Sequence, residues 1–357
     1  MQRYRVTAMI AALLAGSLGA AALIAHYGFH SIAAQMLAVG VWQFLLVVAL
    51  QVAVIGVAGL AWWLLMPRPS HAPWPTIGAR FIREAGSELL PFSAIGGYLM
   101  SARALTAQNV GGVSAMASLI VDVTLEIAAQ IAFAIIALSV LACYDRHSAI
   151  IGPIAIALLA LFAGTVVIYI MQRRHVGLLR RMAWSVFGEL FARQFVHAEA
   201  VQRRVNEIYR QRWRPTANFL LHFVCWIGSA IDIWLALKFM GVSLNLTSVI
   251  ALEGLLSAVN GAAFIVPNAI GVQEGAYVAL GAVFGLGPES ALALSLLKRS
   301  RDLIIGVPAI VLWQGIEARQ FWRWIAPWRR RAHEAAPLIL LVDRPEPGEA
   351  AAGGGGQ

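Results

Sequence analysis

Charge is scarce in this sequence, and lysine and cysteine are almost absent. Only 13% of the 357 residues are charged and 60% are hydrophobic, whereas an average soluble domain carries about 25% charged residues. Several apolar runs approach the ~20 residues that cross a bilayer, and the mean hydropathy is +0.73. The composition therefore excludes a pair of soluble domains and predicts an all-α polytopic membrane protein.

The two cysteines and several missing motifs exclude some chemistries. Cys143 and Cys225 lie in or beside apolar runs, so we expect packing residues and no disulfide framework. The chain contains no GxxxxGKS/T phosphate loop, no HExxH, no CxxC and no GxSxG. Its eight histidines show no metal-ligand spacing. We therefore expect no catalytic residues, no metal and no cofactor.

The formal charge of +9 comes mainly from arginine, because Lys238 and Lys298 are the only lysines. A basic chain can bind nucleic acid, but these arginines cluster just outside apolar segments. That distribution is typical of cytoplasmic loops and of contact with anionic lipid. We expect anionic lipids of the cytoplasmic leaflet as partners, and no nucleic acid.

The apolar runs predict six membrane spans in a single integral membrane domain, residues 1–331. The run from Met1 to Ala25 also has features of a signal peptide, but it is longer than an h-region of ~7 to 15 residues. We therefore expect a retained first span. Residues 332–357 have the composition of a disordered cytoplasmic tail. The other spans are predicted at about 39–66, 113–142, 149–171, 217–240 and 289–313.

The polar insertion at residues 172–214 contains ten arginines, with apolar residues such as Leu179, Met182, Val186 and Leu190 at helical spacing. This pattern predicts basic amphipathic helices that lie on the cytoplasmic leaflet. The alternative is a solvated basic linker with some helix.

The positions of the arginines determine the predicted topology. We place the arginine-rich segments 67–83, 172–214 and 319–331 inside. Residues 84–112 then begin and end inside, and residues 241–288 begin and end outside. Because each of these two segments has a Pro/Gly break in its middle, we predict two oppositely oriented re-entrant helical hairpins. Both termini are then cytoplasmic.

The second break is the sequence VPNAIGVQEGAY, where Pro267, Asn268 and Gly271 interrupt an apolar stretch immediately before Glu274. Unpaired backbone groups at membrane depth cost several kcal/mol each. Broken helices therefore lie within protein or against a water-filled cavity, and they commonly mark the binding site of a transporter.

The first break resembles the second, with Pro91 and Gly96 in the sequence ELLPFSAIGGY. The spans around the two breaks also correspond, so residues 39–142 and 217–313 are predicted to form an inverted repeat. Such repeats with discontinuous helices recur in secondary transporters. The alternative is that proline and glycine only kink ordinary spans.

The predicted sixth span contains a cluster of four charged residues in its interior, although each ionisable group inside a span costs roughly 2.5 to 3.5 kcal/mol. Three are cations, so we expect partners from elsewhere, namely Glu274 and also Glu253. Arginines beside a helix N-terminus can bind a phosphate or carboxylate. Alternatively, Glu274 forms a structural ion pair with Arg299. The four residues are Lys298, Arg299, Arg301 and Asp302, and Asp302 can pair with Lys298 at i, i+4.

The predicted third span contains two carboxylates one helical turn apart, Asp122 and Glu126, and no cation. The pair can carry a proton or meet a cationic headgroup. Alternatively it neutralises Arg299 or Arg301 across the repeat interface. In the fifth span, we expect Asp232 and Lys238 to be helix-end partners or snorkelling residues.

The stretches VPNAIGVQEGAY and ALSLLKRSRDLIIG, with LLPFSAIGGYLMSARAL and ASLIVDVTLEI before them, resemble the transmembrane region of the lysylphosphatidylglycerol synthase family. The resemblance covers about residues 39–313 and is strongest to the hopanoid-biosynthesis-associated membrane proteins. It implies a bacterial inner-membrane protein that moves or presents a lipid between leaflets. Full synthases add a soluble aminoacyl-transfer domain after the spans. This chain ends about 40 residues after its last predicted span, so we do not expect that enzymatic activity.

We therefore expect a lipid translocase whose polar groove between the hairpins admits a headgroup. The alternatives are a lipid headgroup-modifying membrane enzyme and a non-catalytic scaffold with lipid-biosynthesis proteins as partners. The candidate substrate-binding residues are Pro91, Gly96, Asp122, Glu126, Pro267, Asn268, Gly271, Glu274, Lys298, Arg299, Arg301 and Asp302.

Overall fold

A computed structural model describes residues 2–67, 72–89, 93–144, 151–174, 198–262 and 269–339. Regular structure in these ranges is helical. The helices in chain order are α1 (Gln2–Tyr27), α2 (Phe29–Ala38), α3 (Val41–Trp63), α4 (Trp74–Leu89), α5 (Ser93–Ala107), α6 (Gly112–Tyr144), α7 (Ile151–Arg174), α8 (Ala198–Arg210), α9 (Trp213–Phe239), α10 (Leu246–Ala262), α11 (Val272–Val283) and α12 (Pro288–Ile339).

The chain divides into two compact units, Met1–Trp313 and Gln314–Gln357. The first unit contains α1 to α11 and the N-terminal part of α12. The described part of the second unit is the remainder of α12, which ends at Ile339. The predicted start of the tail, residue 332, lies within this helix, and residues 340–357 lie outside the described ranges.

Four helices, α3, α6, α7 and α9, are long and apolar enough to cross a membrane. They coincide with the predicted second to fifth spans and support a multi-pass membrane protein. The predicted first and sixth spans fall in α1 and α12, which are not among the four. In α12 the charges at residues 298, 299, 301 and 302 interrupt the apolar run. The full number of six spans stays a prediction.

A pair of packed helices flanks each predicted break. At the first, α4 contacts α5 so closely that a Cβ at Gly86 would lie 2.8 Å from the Cα of Gly97. At the second, α10 contacts α11, and Gly271 precedes α11 with a φ of 82° that favours glycine. Pro91, Pro267 and Asn268 lie outside the described residues. The re-entrant topology and the inverted repeat stay predictions.

Helix α4 corrects the predicted cytoplasmic connector at residues 67–83, because it begins at Trp74. Its buried residues recur at helical spacing, and they include two arginines. Arg80 is 6% exposed and Arg83 is 4% exposed. These arginines are therefore part of the protein interior and cannot be counted as loop charges.

Helix α8 is the described helical part of the predicted basic insertion. Its buried residues Val201, Val205 and Ile208 lie on the face that packs against α6 and α7. The apolar side of this helix is therefore covered by protein, whereas the sequence predicted that it lies on lipid. Arg203 and Arg210 are on its exposed side. Residues 175–197, with the predicted apolar stripe from Leu179 to Leu190, lie outside the described ranges.

Small residues allow the helices of the first unit to approach closely, as expected where lipid provides no hydrophobic driving force. A Cβ at Gly59 in α3 would lie 2.7 Å from the Cα of Ile77 in α4. Helix α1 packs on α11, and a Cβ at Gly16 would overlap the carbonyl oxygen of Ile270. The first helix therefore lies directly on the end of the second break.

Candidate functional site

A cavity of about 270 Å³ lies among seven helices of the first unit. Its charged lining comes from both predicted repeat halves, and within the first half α4 supplies Arg80, Glu84 and Glu88. Five carboxylates and three cations line it. The carboxylates are Glu84, Glu88, Glu126, Glu253 and Asp302, and the cations are Arg80, Lys298 and Arg301.

The first group of charges joins α4 to α6. The Nη2 of Arg80 lies 2.7 Å from Oε1 of Glu126 and 3.3 Å from Oε2 of Glu84. The guanidinium of Arg83 donates to Oδ2 of Asp122 at 3.0 Å and also contacts Glu126. Two arginines of α4 therefore neutralise the two carboxylates of α6.

Helix α9 completes the environment of Asp122, which is fully buried. The Nδ2 of Asn218 donates to its Oδ1 at 2.8 Å, and Nε2 of His222 lies 3.0 Å from the same oxygen. Asp122, Glu126 and His222 have residue types and separations that suit a metal ion. The guanidinium of Arg83 already lies between the two carboxylates, however, so an ion-pair network accounts for this group.

The predicted pairing of Asp122 and Glu126 with Arg299 or Arg301 is wrong. Their partners are Arg80 and Arg83. The physical reason is that α4 is a helix packed inside the protein, which places its arginines beside α6. The predicted third span itself contains no cation, and the arginines of α4 compensate its buried carboxylates.

The second group of charges surrounds Lys298 and Arg301 of α12. The Nζ of Lys298 lies 3.0 Å from Oε2 of Glu253 in α10. The hydroxyl of Tyr277 in α11 donates to Oε1 of the same carboxylate at 2.5 Å. The predicted role of Glu253 as a partner is therefore confirmed.

Arg301 pairs with the carboxylates of Asp232 and Asp302. Asp302 lies 2.8 Å from Nη2 of Arg301, so it pairs with this arginine and not with Lys298 as predicted. Asp232 has no exposed surface. The prediction that Asp232 is a helix-end residue is therefore wrong, because α9 continues past it to Phe239. Lys238, the other residue of that prediction, is exposed, and its Nζ lies 3.8 Å from the ring centroid of Trp234.

Glu274 is not a lining residue of the cavity, and it has three partners of its own. Its Oε1 accepts from Nε of Arg299 at 2.6 Å, so the predicted structural ion pair is present. Its Oε2 accepts from the backbone N–H of Gly271 at 2.7 Å, which satisfies a donor at the start of α11. Ser295 also donates to Oε1 at 3.3 Å. This carboxylate therefore fixes the end of the break against α12.

The structure separates the candidate residues into three sets. Glu126, Lys298, Arg301 and Asp302 line the cavity. Asp122, Glu274 and Arg299 lie outside the cavity lining and hold its walls in place. Gly96 lies within α5 and Gly271 lies at the start of α11. The remaining candidates, Pro91, Pro267 and Asn268, lie outside the described residues.

Sequence reasoning missed several polar residues of the cavity, including Arg80, Glu84, Glu88, Gln51 and Asn260. The α4 residues carried a usable signal, since Arg80, Arg83 and the buried Thr76 and Ala79 recur at helical spacing. The neutral residues Gln51 in α3 and Asn260 in α10 gave almost no signal of a cavity in the sequence.

These observations define a class, a multi-pass helical membrane protein with a polar cavity among its buried helices. The family model for the lysylphosphatidylglycerol synthase TM region matches residues 9–309, and the chain belongs to this family. The predicted family is therefore confirmed, whereas its hopanoid-associated branch stays a prediction. No curated protein and no solved structure matches the chain.

Proposed function

We propose that the protein is a lipid translocase that moves or presents a polar-headed lipid between the leaflets of the bacterial inner membrane. The cavity of about 270 Å³ carries this proposal, because its lining contains many charged and polar side chains and both predicted repeat halves contribute to it. A headgroup crossing the bilayer needs a polar environment, since an unpaired polar group in hydrocarbon costs several kcal/mol. The acyl or polycyclic part of the lipid stays in the membrane.

At each predicted break, an ion pair joins a helix beside the break to the longer helix that follows. This similarity supports a movement of the two predicted repeat halves. In the first, Arg83 of α4 pairs with Asp122 of α6. In the second, Glu274 of α11 pairs with Arg299 of α12. The first pair has its arginine on the helix beside the break and the second has its carboxylate there. Each pair fixes that helix to a longer helix that follows it. In our proposal these two assemblies rock around the cavity and expose it to alternate sides.

The same proposal includes two further kinds of partner, anionic lipids and lipid-biosynthesis proteins. The exposed arginines of α8, Arg203 and Arg210, contact anionic lipids of the cytoplasmic leaflet. If the chain belongs to the hopanoid-associated branch, proteins that synthesise the transported lipid are its partners.

The test is leaflet-resolved lipid transfer in proteoliposomes. Fluorescent lipids are incorporated, and a membrane-impermeant reductant destroys the dye in the outer leaflet only. Ser257→Phe places a bulky ring on the cavity lining, where Ser257 is 6% exposed. The matched control is Ser139→Phe on the exposed side of α6, where the serine makes the same type of bond to its own helix.

We expect transfer by the wild-type protein and by Ser139→Phe, and at least tenfold slower transfer by Ser257→Phe. No transfer by folded wild-type protein would reject the translocase. A changed headgroup in extracted lipid would then favour the enzyme, and co-purifying lipid-biosynthesis proteins would favour the scaffold.

A further inference from the structure

Free hydrogen-bonding atoms around the cavity come from two uncharged side chains and one cationic side chain. Among the described residues, no partner is present for Oε1 of Gln51 or Oδ1 of Asn260, and both side chains line the cavity. The Nε and Nη1 of Arg80 are also without a partner, although this residue is only 6% exposed. Buried polar groups are nearly always hydrogen-bonded, so these atoms are available to bond a molecule that enters the cavity.

The ammonium group of Lys298 and four carboxylates of the lining are engaged in ion pairs already. Glu84 and Glu126 pair with Arg80, Glu253 pairs with Lys298, and Asp302 pairs with Arg301. An ammonium group entering the cavity would have to displace one of these cations. A phosphate that accepts from the free Nε and Nη1 of Arg80 would lie beside Glu84 and Glu126, the carboxylates that already pair with this arginine. An extra anion is further disfavoured because the lining carboxylates that form ion pairs outnumber the lining cations, four to three.

We propose, as a consequence that rests on the translocase function, that the cavity binds an uncharged, hydroxyl-rich headgroup in preference to an anionic phosphate. Each hydroxyl group both donates and accepts a hydrogen bond. One face of such a headgroup donates to the amide oxygens of Gln51 and Asn260, and another accepts from Arg80. The cavity volume of about 270 Å³ accommodates on the order of ten water-sized groups, which suits a sugar or polyol and not a lipid tail.

The experiment compares three lipids with the same fluorescent tail, a neutral glucosyl lipid, a zwitterionic phosphoethanolamine lipid and an anionic phosphoglycerol lipid. Leaflet transfer is measured in proteoliposomes. Binding is measured separately in detergent, from the lipid-dependent rise of the melting temperature. We expect the glucosyl lipid to rank first in both measurements on the unaltered protein.

Three variants identify the atoms responsible. Gln51→Leu and Asn260→Leu each remove one acceptor, and Arg80→Lys keeps the charge but removes the extra donors. We expect each variant to weaken glucosyl-lipid binding about three- to tenfold. The matched control is Gln43→Leu, an exposed position on the same helix α3 as Gln51.

Each outcome decides a different point. Preference for the phosphoglycerol or phosphoethanolamine lipid overturns the inference and leaves the translocase intact. Glucosyl-lipid binding that depends on Gln51 and Asn260, without transfer of any lipid, supports the inference and overturns the translocase. Absence of glucosyl-lipid binding by folded wild-type protein overturns the inference directly.

Discussion

The buried ion pairs are the residues on which the structure depends most. Asp122 has no exposed surface, and Arg83 is the cation that compensates it directly. Removing one partner from a buried pair leaves an uncompensated charge, which costs far more than the pair itself contributes. Exposed pairs behave differently, because water compensates either partner.

Arg83→Gln is expected to lower the free energy of unfolding by about 3–5 kcal/mol. The control is Arg204→Gln, which breaks the partly exposed pair with Glu207 in α8 and is expected to cost less than about 1 kcal/mol. Unfolding in mixed detergent micelles measures both. Equal losses from the two variants would show that His222, which already contacts Asp122, compensates this carboxylate without Arg83.

Substitution of two tyrosines tests the hydrogen bond that Tyr277 donates to the carboxylate of Glu253. Tyr277→Phe removes a donor to the carboxylate of Glu253 and is expected to cost about 1.5–3 kcal/mol. Tyr209→Phe removes a bond to the neutral side chain of Gln172 and is expected to cost about 0.5–1.5 kcal/mol. The same unfolding measurement compares them. A larger loss for Tyr209→Phe would contradict the assignment of Glu253 as an ionised partner.

Among the helices, α1 has an unexpected position on the second break. The backbone at Gly16 approaches Ile270 and Gly271 so closely that neither glycine leaves room for a side chain. Any movement of the break during transport must therefore carry α1 with it or separate the two. This links the first helix to the proposed mechanism although it contributes nothing to the cavity lining.

Gly16→Leu is expected to displace α1 from the break, lower the melting temperature and slow lipid transfer. The matched control is Gly19→Leu, one turn further along α1, where nothing lies within 4 Å of an added Cβ. That control is expected to be neutral or slightly stabilising, since leucine favours a helix more than glycine by up to about 1 kcal/mol. Equal effects of the two substitutions would show that the close approach is not needed.

The helices that the sequence predicted well are those with long apolar runs, because length alone distinguishes a span. The pairs Glu274–Arg299 and Glu253–Lys298 could also be predicted. The cations of α12 need carboxylates as partners, and few carboxylates occur in the apolar segments that precede α12. Arg80 and Arg83 were assigned to a loop because proline precedes them and positive charge usually marks a cytoplasmic segment. Only the helical spacing of their buried neighbours indicates otherwise.

At the scale of the whole molecule, the buried arginines change the basis of the predicted topology. With Arg80 and Arg83 inside the protein, only Arg68 of the segment 67–83 still counts toward the positive-inside rule. The orientation then depends mainly on the insertion at 172–214 and on residues 319–331. The predicted sidedness stands on two basic segments instead of three.

Cysteine labelling tests the sidedness directly. In a background with Cys143 and Cys225 replaced by serine, Ser31→Cys and Arg203→Cys each introduce one exposed thiol. A membrane-impermeant maleimide is expected to label position 31 in intact cells and position 203 only after permeabilisation. The reverse pattern would invert the topology, and with it the assignment of α8 to the cytoplasmic leaflet.

The pairing of Asp232 with Arg301 also has a consequence for biosynthesis. The two residues are 69 positions apart, and a ribosome adds about 5–20 residues each second. The carboxylate of α9 is therefore made roughly 3–14 seconds before the cation that compensates it. During that interval α9 must wait beside the insertion machinery or carry Asp232 into the membrane protonated. The buried pair thus sets a time at which the nascent chain is most open to interception by quality control.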